Sequence, residues 1–151
     1  MTSQLSIRMW SWLLFMTMEA FLYFSYQQND GSFHWFLHFF VGASTALIVM
    51  GLITFLSGRI VRHPLLWIVV GHVIAMFPDI LWNFLVATHE PWMDIFLGHI
   101  TAHFIPGRNW AWYAIFLVSL AFYLYQRATK EAAATGVVQQ PNIQEGQAKV
   151  A

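Results

Sequence analysis

Cysteine is absent from the 151 residues, which removes disulfides, thiolate metal ligands and a cysteine nucleophile. Any metal held by this chain therefore depends on histidine, carboxylate and water. Charge is scarce as well: Asp, Glu, Lys and Arg together make up 9% of the chain, and seven basic residues balance seven acidic ones. With no basic run and no net charge, nucleic acid is not an expected partner. No Gly-x-Ser-x-Gly elbow occurs, so a serine hydrolase is unsupported and Ser44 and Thr45 read as packing residues. The His-x-x-His-His boxes of oxygen-activating di-iron membrane enzymes are missing too, and so is any internal repeat.

Apolar side chains fill the space that charge leaves. Hydrophobic residues are 58% of the chain and aromatics 18%, with a mean hydropathy of +0.56, far from the soluble average. The composition predicts an all-α integral membrane protein whose main partner is the lipid bilayer. Crossing a hydrocarbon core of about 30 Å takes about 20 helical residues, and the stretches 7–26, 33–56 and 64–87 are long enough. A fourth, 110–126, is short but rich in Phe, Leu, Ile and Tyr. Within the first stretch the apolar run 9–26 follows Arg8 and resembles a signal peptide, but it closes on Phe24-Ser25-Tyr26-Gln27, with no small-x-small cleavage site. It is expected to be a retained span.

The stretch 92–106 is apolar yet carries Asp94, His99 and His103 and closes on Pro106-Gly107. As a fifth span it would split the cations between the two sides. As a short re-entrant or interfacial helix before the last span it leaves four spans, with Arg8, Arg59, Arg62, Arg127, Lys130 and Lys149 on one side and Arg108 alone on the other. The positive-inside rule favours the second arrangement, with both termini cytoplasmic, as in a bacterial inner membrane. Two aromatic belts agree with it: Trp10, Trp12 and Trp67 inside, and Trp35, Trp82, Trp92, Trp110 and Trp112 outside. Residues 1–126 then form one membrane domain, and 127–151 a cytoplasmic tail, helical to about Ala134 and mostly disordered beyond.

Ionisable groups in such a chain are costly and tend to mark function. At about 1.5 Å of rise per residue, His34 and His38 fall in the first turns of the second span, Asp79 and Asn83 in the last turns of the third, and His89, Glu90, Asp94, His99 and His103 on the connection between outer ends. Three separate segments thus bring polar groups to the outer leaflet. His34 with His38 and His99 with His103 are each four apart, so each pair shares a helix face and can grip one ion. His34 and His89 also fit a plain interfacial role, and His63, beside Arg62 and Pro64, reads as an inner loop residue. Neutral imidazole with carboxylate is the ligand set of zinc, iron or manganese, and catalytic zinc keeps three protein ligands with one open position. His38, Asp79 and one or both of His99 and His103 are the expected ligands, with His34 beside them and Glu90 as the candidate general base. Asp94 would lie about 140° round a helix from His99, which disfavours it as a ligand.

Deeper in the bilayer, Glu19 and His72 fall at one level, about 16 Å and 13 Å from their inner ends. Each is too costly to bury alone, so they are expected to hydrogen-bond, most simply as a structural pair. Pro78 is expected to bend the third span, and Gly42-Ala43-Ser44-Thr45-Ala46 to let a neighbouring helix approach closely.

His38-Phe39-Phe40-Val41-Gly42, Phe77-Pro78-Asp79-Ile80 and the later histidine pair resemble the membrane-bound metal-dependent hydrolase family of bacterial inner-membrane proteins over about residues 34–104. The resemblance implies divalent-metal hydrolysis, with His38, Asp79, His99 and His103 at the matching positions. The chain departs from the family pattern at Leu81, where a second aspartate is expected, and at Ala102-His103-Phe104. The leading reading is a zinc-type hydrolase acting at the outer leaflet on an ester, amide or phosphoester of a lipid or other amphiphile. Two alternatives stand beside it: electron transfer through haem b on paired axial imidazoles, and a non-catalytic scaffold or metal carrier.

Overall fold

The computed structural model describes residues 2–25, 31–85, 90–107 and 109–136, and every regular element among them is helical. The described residues form four long helices: α1 (Thr2–Ser25), α2 (Gly31–Ser57), α3 (Pro64–Leu85) and, after a short helix α4 (His99–Phe104), α5 (Asn109–Ala134). A 3₁₀ turn, Pro91–Ile95, precedes α4. The stretches His34–Ser57 and Pro64–Leu81 are long and apolar enough to cross a membrane. At six residues, α4 spans about 9 Å, too little to cross anything. The 92–106 stretch is broken at Leu97 and Gly98, both left-handed at φ 57° and 69°, a conformation that ends one helical piece and re-aims the next. Residues 127–134 continue α5 as expected, and the rest of the predicted tail from 137 onward lies outside the described residues.

Helix α2 is the hub. It packs most extensively on α5 and α3, while α1 lies mainly against α3. Its approach to α3 is set by two glycines: a Cβ on Gly42 would stand 2.4 Å from the carbonyl of Gly71, and one on Gly71 2.3 Å from the oxygen of Gly42. Backbone touches backbone there, as the small-residue run implies. One end of the bundle is filled by Leu47, Met50 and Tyr123 with Phe116, Leu120 and Ile68. At the other end Val41, Ala75 and Ala102 meet beneath Leu97 and Trp112, and this cluster seats α4 between α2 and α3. The indole of Trp112 also donates to the Ala102 carbonyl at 3.3 Å, tying α4 to α5.

Between α1 and α3, His72 Nδ1 and Glu19 Oε2 are 2.7 Å apart and both residues are buried. The expected pairing is present. Trp35 and Phe39, stacked at 5.2 Å, wall the His72 ring edge-on. Pro78 sits inside α3 without ending it.

Candidate metal centre

Asp79 is the hub of a cluster drawn from three helices. It lies one residue after Pro78 on α3 and is fully buried. Its Oδ2 is 3.0 Å from His38 Nε2 on α2 and 3.8 Å from His34 Nδ1 one turn earlier; its Oδ1 is 3.2 Å from His99 Nε2 on α4. The imidazoles of His38 and His99 stack in parallel, with centroids 4.5 Å apart and planes 9° apart. His103, one turn beyond His99, closes the group with its centroid 5.0 Å from that of His34 and 5.3 Å from that of His38. Two sets of three have ligand atoms within 4.8 Å of one another: His38, Asp79 and His99, all buried, and His34, His38 and His103, of which only His38 is fully buried. They share His38.

A backbone carbonyl of α3 holds α4 here. Lacking an N–H, Pro78 leaves the Ile74 carbonyl without its helical donor, and the carbonyl of the next residue, Ala75, accepts a hydrogen bond from His99 Nδ1 at 3.0 Å. A carbonyl can only accept, so Nδ1 carries the hydrogen, and in the neutral tautomer Nε2 presents a lone pair. That lone pair faces a carboxylate oxygen at 3.2 Å. Two acceptors at such a distance need a proton or a cation between them.

A cation fits the donor set. Two ligands bonded at about 2.0–2.1 Å to one tetrahedral ion lie about 3.3 Å apart, against 3.0 and 3.2 Å for the two histidine nitrogens on the Asp79 oxygens. The carbonyl behind His99 is the kind of outer partner that fixes tautomer and ring direction in ligating histidines. Burial, with the neighbouring histidines adding to it, pushes the His103 imidazole down to about 4. At neutral pH it is therefore uncharged, the form that ligates or accepts a proton.

Of the polar residues expected to share this layer, the structure gathers His34, His38, Asp79, His99 and His103. Asp94 has another task. Its Oδ1 accepts from the amides of Ile100 and Thr101 at 2.7 and 2.9 Å, and its Oδ2 from the Thr101 hydroxyl at 2.7 Å. These bonds, the hydroxyl first, hold its carboxyl below the usual carboxylate range and anchor the first turn of α4, whose amides have no helical partner of their own. Glu90 is exposed at the start of the 3₁₀ turn and belongs to neither set of three. His89 and the side chain of Asn83 lie outside the described residues. Sequence reasoning missed the Ala75 carbonyl, which carries no signal in the sequence.

No protein family, curated protein or solved structure matches this chain.

Proposed function

We propose that the chain is a four-span membrane protein of the bacterial inner membrane type, and a metal-dependent hydrolase whose site opens to the outer leaflet. The observation that carries the chemistry is the pair of contacts on Asp79, with His99 Nδ1 committed to the Ala75 carbonyl and its Nε2 facing the carboxylate at 3.2 Å. Support for four spans comes from α1 and α5, which present large apolar side chains outward: Trp10, Leu14, Met16 and Phe24 on one, Trp110, Val118, Leu124 and Tyr125 on the other, each half or more exposed. So much exposed apolar surface fits lipid better than water. The short motifs shared with the membrane-bound metal-dependent hydrolases point the same way.

In this reading His38, Asp79 and His99 hold a divalent ion, zinc being the first candidate from its ligand preferences. Such an ion supplies Lewis acidity and makes water a nucleophile near neutral pH. His34 and His103, at the half-buried rim, take up and return protons. Glu90 is the competing base. Because the site sits at bilayer level, the substrate is an ester, amide or phosphoester of an amphiphile. Haem ligation is disfavoured by geometry: the His38 and His99 rings lie face to face at 4.5 Å, with no slot between them for a porphyrin.

Metal analysis of detergent-purified protein, alongside Asp79→Ala and His99→Ala, tests the reading. The expected result is about one zinc, manganese or iron per wild-type chain and none in either variant, with chelation abolishing hydrolysis of fluorogenic phospholipids and metal restoring it. Equal metal in wild type and Asp79→Ala would refute the centre. Metal without hydrolysis would leave a carrier. Unchanged turnover in Glu90→Gln would assign proton transfer to the rim histidines.

A further inference from the structure

At the opposite end of the bundle, where α1 begins, α2 meets α3 and α5 ends, lies a cavity of about 900 Å³, well within the size range of ligand sites. Arg8, Arg62 and Arg127 line it, with His63 and the indole of Trp12. Arg59 and Lys130 belong to the same end, the latter with its Nζ about 4.0 Å from where a Cβ on Gly58 would stand. Against these five cations Glu131, bound to Arg127 at 2.8 Å, is the one acidic side chain on the described part of this end. Among the described residues neither Arg8 nor Arg62 has an acidic partner.

The cavity continues into a second, smaller one of about 340 Å³ through Ile7, Ser11, His63 and Leu65, which line both. This extension changes character. It runs along α1 and α3 between Leu14, Phe15, Leu66 and Val69, with Trp10 at its side. A cationic chamber opening into an apolar groove is the shape of an amphiphile with an anionic head and a hydrocarbon tail, and basic pockets at the cytoplasmic ends of membrane helices bind such headgroups.

We propose that this face is a binding site for one anionic phospholipid, its phosphate between Arg8 and Arg62 and an acyl chain in the groove between α1 and α3. It is separate from the histidine cluster and independent of the chemistry there. The lipid would tie α1, which contacts few elements other than α3, to the α2–α3 connection and to α5.

The test is thermal unfolding of the protein in dodecyl maltoside with added dioleoyl-phosphatidylglycerol or dioleoyl-phosphatidylcholine, since a ligand that binds only the folded state raises the melting temperature with concentration. Phosphatidylglycerol is expected to raise it saturably and phosphatidylcholine to leave it unchanged. In the double variant Arg8→Gln/Arg62→Gln the concentration needed should increase by about 10-fold or more, given the strength of surface cation–lipid attraction. The wild type provides a second measure without any variant: the apparent affinity should weaken between 0.05 and 0.5 M salt, and inorganic phosphate at millimolar level should not displace the lipid. Equal stabilisation by the two lipids, or no effect of salt, overturns the proposal. Displacement by inorganic phosphate alone overturns it in favour of a phosphate site.

Discussion

Replacing Gly42 with alanine probes how the fold makes the site. The added Cβ would stand 2.4 Å from the carbonyl carbon and oxygen of Gly71 and 2.5 Å from the amide nitrogen of His72, where ordinary contact begins at 3.4 Å. Backbone cannot swing aside, so α2 and α3 must part by the difference, about 1 Å. His38 lies one turn before Gly42 on α2, and Asp79 about two turns after Gly71 on α3. The parting therefore stretches the 3.0 Å separation of His38 Nε2 and Asp79 Oδ2 to about 4 Å, whereas metal sites tolerate departures of about 0.2 Å. Overpacking of this kind costs about 1–3 kcal/mol. The expected outcome is a melting temperature several degrees lower and the loss of most bound metal, read by fluorimetry and elemental analysis on the same preparation.

Gly51→Ala is the control that separates the two effects. Its Cβ would meet ring atoms of Phe122, the nearest at 2.4 Å, and a ring can turn away. The site, at His38, lies about 20 Å back toward the start of α2 by helical rise. This variant should melt lower yet keep its metal. Wild-type metal content and melting temperature in Gly42→Ala would refute the claim that the glycine contact sets the site's dimensions.

Glu19→Gln keeps the shape of the buried pair with His72 but weakens a charged hydrogen bond, and should lower stability by about 1–2 kcal/mol with metal content unchanged; a selective loss of hydrolysis at unchanged melting temperature would mean that the pair carries protons. His103 predicts an acid limb: burial holds its folded pKa at about 4, below the ordinary imidazole value of 6.5, so between those values the unfolded chain binds the proton and the native state refuses it. The His103 contribution to the stability of the chelated protein is therefore flat above about pH 6.5 and falls as pH drops toward 4, and His103→Asn should make that limb shallower in a pH series of thermal melts. Asp94→Ala removes the acceptor for two amides and a hydroxyl at the start of α4; metal affinity should drop with little change in helical circular dichroism, and Asp94→Asn should fall between the two.

Hydrophobic runs and depth were enough to read the long helices, because each is longer and more apolar than any loop around it; the stretch 64–85 begins at Pro64 as its sequence implies. The same depth argument drew His38, Asp79 and His99 into one layer, and it works because rise per residue is fixed even when helix rotation is unknown. Rotation is what it lacked. Whether His99 or His103 reaches Asp79 depends on the left-handed pair Leu97 and Gly98 and on the Ala75 carbonyl as an acceptor for His99, and neither has a periodic signature. Asp94 illustrates the same limit from the other side. Its residue type and neighbourhood matched a metal ligand, and only the angle round a helix argued otherwise; in the structure its carboxylate turns to the amides of Ile100 and Thr101. The two aspartates therefore divide one task. Asp94 fixes where α4 starts, and that start decides which imidazole meets Asp79, so a loss of metal in an Asp94 variant would be a failure of aim and not of ligation.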